Sequence, residues 1–132
     1  MATFKAISHL DLSVSDIDTS AKWYEQVFGL KNLTRSELDN RTMVVLFHPD
    51  TGLIIGLNQH SVVPLDTFDE RNAGLDHVGF EVGQRSDLDD WEKRLTELAV
   101  EHSPVEDTAV GSALVFRAPD NIQLEFWWTK PR

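Results

Sequence analysis

Apolar side chains recur along this chain with two periods in alternation, and the alternation is written twice. Residues 9–14 read His-Leu-Asp-Leu-Ser-Val, and residues 77–82 read His-Val-Gly-Phe-Glu-Val. A period of two puts Leu10, Leu12 and Val14 on one face of a strand, and Val78, Phe80 and Val82 on one face of another. The same period sends His9 and His77 to the opposite faces, at equivalent positions. Behind each strand the period lengthens to that of a helix. Ser15-Asp16 precede Ile17, Ala21, Tyr24 and Phe28, and Ser86-Asp87 precede Leu88, Trp91, Leu95 and Leu98. Gly29 predicts a left-handed stop for the first helix, and the second ends around Ala99.

Each helix is followed by extended segments. In the first half these are residues 31–37, 42–48 and 53–60, parted by Asp39-Asn40 and by Pro49-Asp50-Thr51-Gly52. In the second half a weak segment at 101–105 precedes 113–117 and 122–128, with Gly111 and Pro119-Asp120-Asn121 as turns. Both halves therefore read βαβββ. The first module covers residues 4–61 and the second 74–129, and residues 62–73, with Pro64 and several acids, read as a linker inside a single domain. Aligning Phe47 with Phe116, and the two Pro-Asp turns with each other, lays residues 53–57 over 122–126. Gly56 then stands in the place of Glu125.

A sheet with one helix on one face must cover or use its other face, so two such units pair. The expected fold is α+β, with two βαβββ modules forming a curved mixed sheet around a central cleft. By alternation His9 and Asp11 face that cleft, as do His77, Gly56, Asn58 and His60. Gln123, Glu125 and Trp127 face it from the last strand, while Leu124, Phe126 and Trp128 point the other way. Glu125 is thus an acid set in an apolar strand, where an unpartnered carboxylate is costly. Two imidazoles and a carboxylate suit Fe, Mn, Zn, Ni or Co as a divalent ion. The plainer reading makes each histidine a hydrogen-bonded core residue and pairs Glu125 with Arg117. His60 is either an acid or base at the cleft or a strand-end residue in solvent. Trp127 could wall a substrate, and Asn58 and Gln123 could hydrogen-bond one. His48 and His102 read as surface turn residues.

Composition narrows the chemistry. With 132 residues and 41% hydrophobic content, one domain can bury a core unaided. The absence of cysteine removes thiolate ligands and nucleophiles and fits a reducing compartment. No basic start or long apolar stretch opens the chain, so a soluble, cytoplasmic protein without a membrane span is expected. A formal charge of -10, from 22 acids against 12 Lys and Arg, argues against nucleic acid as a partner.

Three stretches carry a family resemblance: Ile7-Ser8-His9 with residues 16–29, then residues 74–80 around His77, then residues 119–126 ending Glu125-Phe126. Together they span nearly the whole chain, which resembles the vicinal oxygen chelate superfamily of glyoxalases, extradiol dioxygenases and bleomycin-resistance proteins. The resemblance implies a divalent metal held by His9, His77 and Glu125, with a small substrate chelated through adjacent oxygens. The reaction it implies is that of a lyase, an isomerase or a ring-cleaving dioxygenase, with Glu125 or His60 as base. A fourth ligand position in the family falls here on Gly56, unlike glyoxalase I. Asp11 stands where fosfomycin-resistance enzymes carry threonine, and their phosphonate-binding basic residues are not recognisable. The family also contains non-catalytic drug-sequestering proteins, and it implies a homodimer.

Overall fold

The computed structural model describes residues 1–62 and 66–132, and Pro64 of the expected linker lies outside them. The chain divides into two compact units, Met1–Leu65 and Asp66–Arg132. The first contains β1 (Leu10–Ser13), α1 (Ile17–Phe28), β2 (Lys31–Glu37), β3 (Arg41–Phe47) and β4 (Ile54–His60). The second contains β5 (Val78–Glu81), α2 (Arg85–Glu97), β6 (Glu106–Asp107), β7 (Gly111–Arg117), a single 3-10 turn (Pro119–Asn121) and β8 (Gln123–Thr129). The architecture is α+β.

In the first unit the strand order is β1-β4-β3-β2, with β1 parallel to β4 and the other pairs antiparallel. The second repeats it as β5-β8-β7-β6, again with one parallel pair. Register makes the repeat residue-specific. Leu10 pairs with Ile55 as Val78 pairs with Leu124, so His9 matches His77, and Gly56 matches Glu125. One alignment needs correcting: Leu46, opposite Ile55, is the counterpart of Phe116, opposite Leu124. Phe47 instead matches Arg117, because the turn after β3 is one residue longer and pairing two phenylalanines by type put them one position out of step.

One helix covers one face of each sheet, α1 against β2, β3 and β4, and α2 against β7 and β8. Tyr24 and Val27 of α1 pack with Leu46, Ile55 and Leu57 of the sheet, all nearly inaccessible. Leu88 and Leu95 of α2 pack with Leu114 and Leu124 of the sheet, with Trp91 stacked on Phe126 at 4.1 Å between ring centroids. These cores fix which strand residues face the helices, and therefore which face away.

The ends of the elements follow local chemistry. Asp16 caps α1 by accepting from the Thr19 N–H at 3.1 Å, and Gly29 closes it at φ 72. Helix α2 starts earlier than Ser86-Asp87 suggested. Gln84 is its N-cap, and Asp87 is the third-position acid that accepts from the Gln84 N–H at 2.9 Å. The segment at 101–105 does not form the expected strand, because Pro104 lacks the N–H a ladder needs. Its residues join β7 through separate bonds, Ser103 N–H to Val115 O and Arg117 N–H to Glu101 O, and β6 begins only at Glu106. Gly111 is the first residue of β7 rather than a turn; a side chain there would collide with the Trp127 ring and the Trp128 carbonyl. Residues 66–73 are tied to the second unit: Phe68 donates its N–H to Asp120 O, and Glu70 meets Arg117. No helix among the described residues is long and apolar enough to cross a membrane.

Candidate metal-binding site

In the second unit the parallel pairing of β5 with β8 sets Gly79 directly opposite Glu125. Leu124 and Phe126 point into the core under α2, so alternation sends Glu125 to the sheet face away from that helix. There its carboxylate lies beside Gly79, with Oε1 3.5 Å from where a Cβ at that position would stand, an ordinary contact distance. His77, one residue before β5, brings Nε2 to 3.8 Å from Glu125 Oε2. Its Nδ1 is 2.7 Å from Asp76 Oδ1. A carboxylate can only accept, so Nδ1 is the nitrogen that donates, which leaves Nε2 as the atom turned toward Glu125. Asp76 is itself held by Gln123, whose Nε2 donates to Asp76 Oδ1 at 3.1 Å. The other end of the Gln123 amide accepts from Arg117 Nη2 at 3.1 Å. Arg117 also makes two bonds to Glu70, at 2.8 and 3.0 Å, and so is committed away from Glu125.

The first unit repeats the histidine and the residue before it at equivalent positions, but takes its carboxylate from the neighbouring strand. His9 Nδ1 is 2.6 Å from Ser8 Oγ, and His9 Nε2 is 4.0 Å from Asp11 Oδ1. The second oxygen of Asp11 accepts from Asn58 Nδ2 at 3.2 Å. In each unit, then, one imidazole nitrogen is engaged by the residue before it and the other faces a carboxylate. Neither separation, 3.8 or 4.0 Å, is a hydrogen bond. Each imidazole–carboxylate pair has the donor chemistry to share a cation, with the imidazole oriented from behind as metal-ligating histidines commonly are. Within neither unit do three or more His, Asp or Glu among the described residues form a group that could hold a metal on its own.

The remaining expected residues separate by environment. Asn58 is buried and spends its amide on Asp11. Gln123 serves Asp76, as above. Trp127 lies on the same face of β8 as Glu125, and its indole N–H donates to Thr129 Oγ1 at 2.9 Å. His60 ends β4 and is exposed. His48 caps its own turn, Nδ1 accepting from the N–H groups of Asp50 and Thr51, and His102 bridges α2 to the segment before β6 through Thr96. Ser8 and Asp76 escaped sequence reasoning because they precede the two repeated segments, residues 9–14 and 77–82, whose alternation assigns the faces. Their position immediately before a candidate histidine is the signal that could have found them.

A family model described as the glyoxalase/bleomycin resistance protein/dioxygenase superfamily matches residues 6–126. The metallothiol transferase FosB of Bacillus licheniformis is 31% identical over 94 residues, 71% of this chain and 54% of that protein, so the chain spans about half the length of this curated relative. Among solved structures, a glyoxylase/bleomycin resistance protein/dioxygenase domain from Frankia sp. EAN1pec is 35% identical, with a TM-score of 0.89 over 97% of this chain and 100% of that one. The fosfomycin resistance protein FosX of Listeria monocytogenes, solved with Mn(II) and sulfate, shares the fold at 21% identity, with a TM-score of 0.74 over 97% of this chain and 95% of that one.

Proposed function

We propose, from the premise that this chain belongs to the glyoxalase/bleomycin resistance protein/dioxygenase superfamily, that it is a metal-dependent enzyme acting on a small molecule. In this reading His9 of the first unit and His77 and Glu125 of the second hold one divalent ion, the two units belonging to one chain or to two paired copies. The observation that carries it is the repeated arrangement of a histidine with Nδ1 engaged and Nε2 turned to a carboxylate. The Mn(II) bound by FosX supports a divalent metal in general. When bound, such an ion supplies Lewis-acid polarisation of substrate oxygens or activation of dioxygen.

The chain's own residues supply the rest. Asp76 and Ser8 fix the two imidazoles, Gln123 and Asn58 fix the carboxylates beside them, and Trp127 offers an apolar wall. Glu125 takes a substrate proton where the reaction is proton transfer, with His60 at the exposed end of β4 as the second acceptor to test. Thiol transfer to a small electrophile is the first reaction class to assay, since the FosB relative is named a metallothiol transferase. The protein works as a cytoplasmic homodimer, and the exposed Phe4 and Ile7 near the N-terminus, 93% and 91% accessible, supply apolar surface for pairing.

Elemental analysis of protein purified without a histidine tag tests the reading. We expect near-stoichiometric Mn, Fe, Zn, Ni or Co, with metal and turnover lost together in His77→Ala. Unchanged turnover in that variant would sink the mechanism. Metal-free protein that captures a bleomycin-type drug stoichiometrically without converting it would replace the enzyme with a sequestration protein.

A further inference from the structure

The repeat is inverted at one place, and the inversion carries a role for Asp11. In the second unit the strand pair β5 and β8 offers Gly79 opposite Glu125; in the first, β1 and β4 offer Asp11 opposite Gly56. Acid and glycine have exchanged strands. The exchange is spatial as well as formal. A Cβ built on Gly56 would run into Asp11 Oδ1 and lie 2.7 Å from Asp11 Cγ, so the aspartate fills the space a side chain at 56 would enter. A Cβ on Gly79 would lie 3.5 Å from Glu125 Oε1. Only at Gly56 does the missing side chain make room for the neighbouring carboxylate, since the contact at Gly79 is an ordinary one; each carboxylate nevertheless ends about 4 Å from its own unit's histidine, at 4.0 and 3.8 Å.

We infer that Asp11 supplies the metal-binding carboxylate of the first unit, reaching across from β1 to the position that Gly56 leaves empty. This deepens the metal-site reading above and rests on it. The first unit's donor pair is then His9 and Asp11, as the second unit's is His77 and Glu125. Asn58 is the positioning residue: it is buried, it holds Asp11 Oδ2 at 3.2 Å, and it leaves Oδ1 turned toward His9. A second anionic oxygen ligand hardens the site and moves its preference toward Mn(II). A side chain at 56 would displace the Asp11 carboxylate from its present position, which gives the inference a rescue test.

The probe is Mn(II) binding to the full chain, followed by the electron paramagnetic resonance of free Mn(II) and by titration calorimetry, with circular dichroism confirming folding. Asp11→Asn, which keeps the shape and removes the charge, is expected to weaken Mn(II) binding by about tenfold or more. Asp11→Gly alone should do the same. Asp11→Gly combined with Gly56→Glu rebuilds the second unit's arrangement in the first and should restore most of the affinity. Wild-type affinity in Asp11→Asn overturns the inference and leaves the three-ligand reading standing. A double variant as weak as Asp11→Gly also overturns it, since Asp11 would then act by holding His9 in place. Failure of the wild type to bind any divalent metal overturns both.

Discussion

Asp76 shows how much a single side chain decides here. Its Oδ1 sits 2.7 Å from His77 Nδ1 and accepts from Gln123 Nε2 at 3.1 Å, so it fixes both the ring's orientation and the nitrogen that carries the proton. Without that acceptor the imidazole can flip or change tautomer, and Nε2 loses its aim at Glu125. Asp76→Ala is therefore expected to weaken divalent-metal binding by roughly ten- to a hundredfold while leaving the melting temperature nearly unchanged, because the residue is exposed. Asp76→Asn, whose carbonyl can still accept from Nδ1, should recover part of the loss. Competition titration against a metal indicator would decide, and equal affinity in all three proteins would remove Asp76 from the site. At this scale the candidates His9, His77 and Glu125 could be picked out from the sequence because strand alternation assigns each a face. Asp11 was assigned the same face without a role, since its relation to Gly56 depends on which strand lies beside β1, and that is a long-range pairing.

At the scale of the element, the ends of the helices hold most of what local sequence signals left open. Helix α2 ends in two reciprocal bonds, Val100 N–H to Leu95 O at 2.9 Å and Ala99 N–H to Thr96 O at 3.0 Å. This closure requires a left-handed residue, and the residue present is Ala99 at φ 56. Helix α1 meets the same demand with Gly29, which is why its end could be read from the sequence while that of α2 was blurred. An alanine Cβ in the left-handed region is strained, and Ala99 is exposed, so nothing packs against it in compensation. Ala99→Gly is expected to stabilise the protein by about 1 kcal/mol, net of glycine's freedom in the unfolded chain, raising the melting temperature by roughly 4 °C. A scan showing no rise would mean the closure relaxes without strain. The strands were more legible than the helix ends, because each half-buried strand repeats its signal over several residues. The exception is residues 101–105, where Pro104 interrupts the ladder and bonds to β7 replace a strand of its own.

For the whole molecule the governing quantity is charge, -10 at pH 7 with 22 acids, and the strongly perturbed acids are all in the second unit. Glu70 is held at about 2 by the Arg117 guanidinium, which meets both of its oxygens. Asp107 is held at about 2 by Arg85 and by the Ser112 hydroxyl, and Asp69 at about 2 by Arg71. A carboxylate whose folded pKa lies below its unfolded value binds fewer protons in the native state. Its stabilisation is complete above the unfolded value, near 4.5 for Glu70, and disappears as the pH falls toward about 2. Self-repulsion works the other way, since acidification from neutrality first discharges unpaired acids and relieves it. Stability should therefore hold or rise toward the isoelectric point near 4.7 and fall steeply below it as the paired acids protonate. Glu70→Gln isolates one such pair, in which Glu70 and Arg117 are only 27% and 23% exposed and so are less screened than a surface pair. The variant should melt lower than wild type at pH 6, and the gap should close steadily between pH 4.5 and 2, because glutamine has no proton to gain. Melting temperatures for the two proteins across that range would show it. A gap that stayed constant down to pH 2 would mean that Glu70 stabilises the second unit by its packing and hydrogen bonds, with its charge contributing nothing.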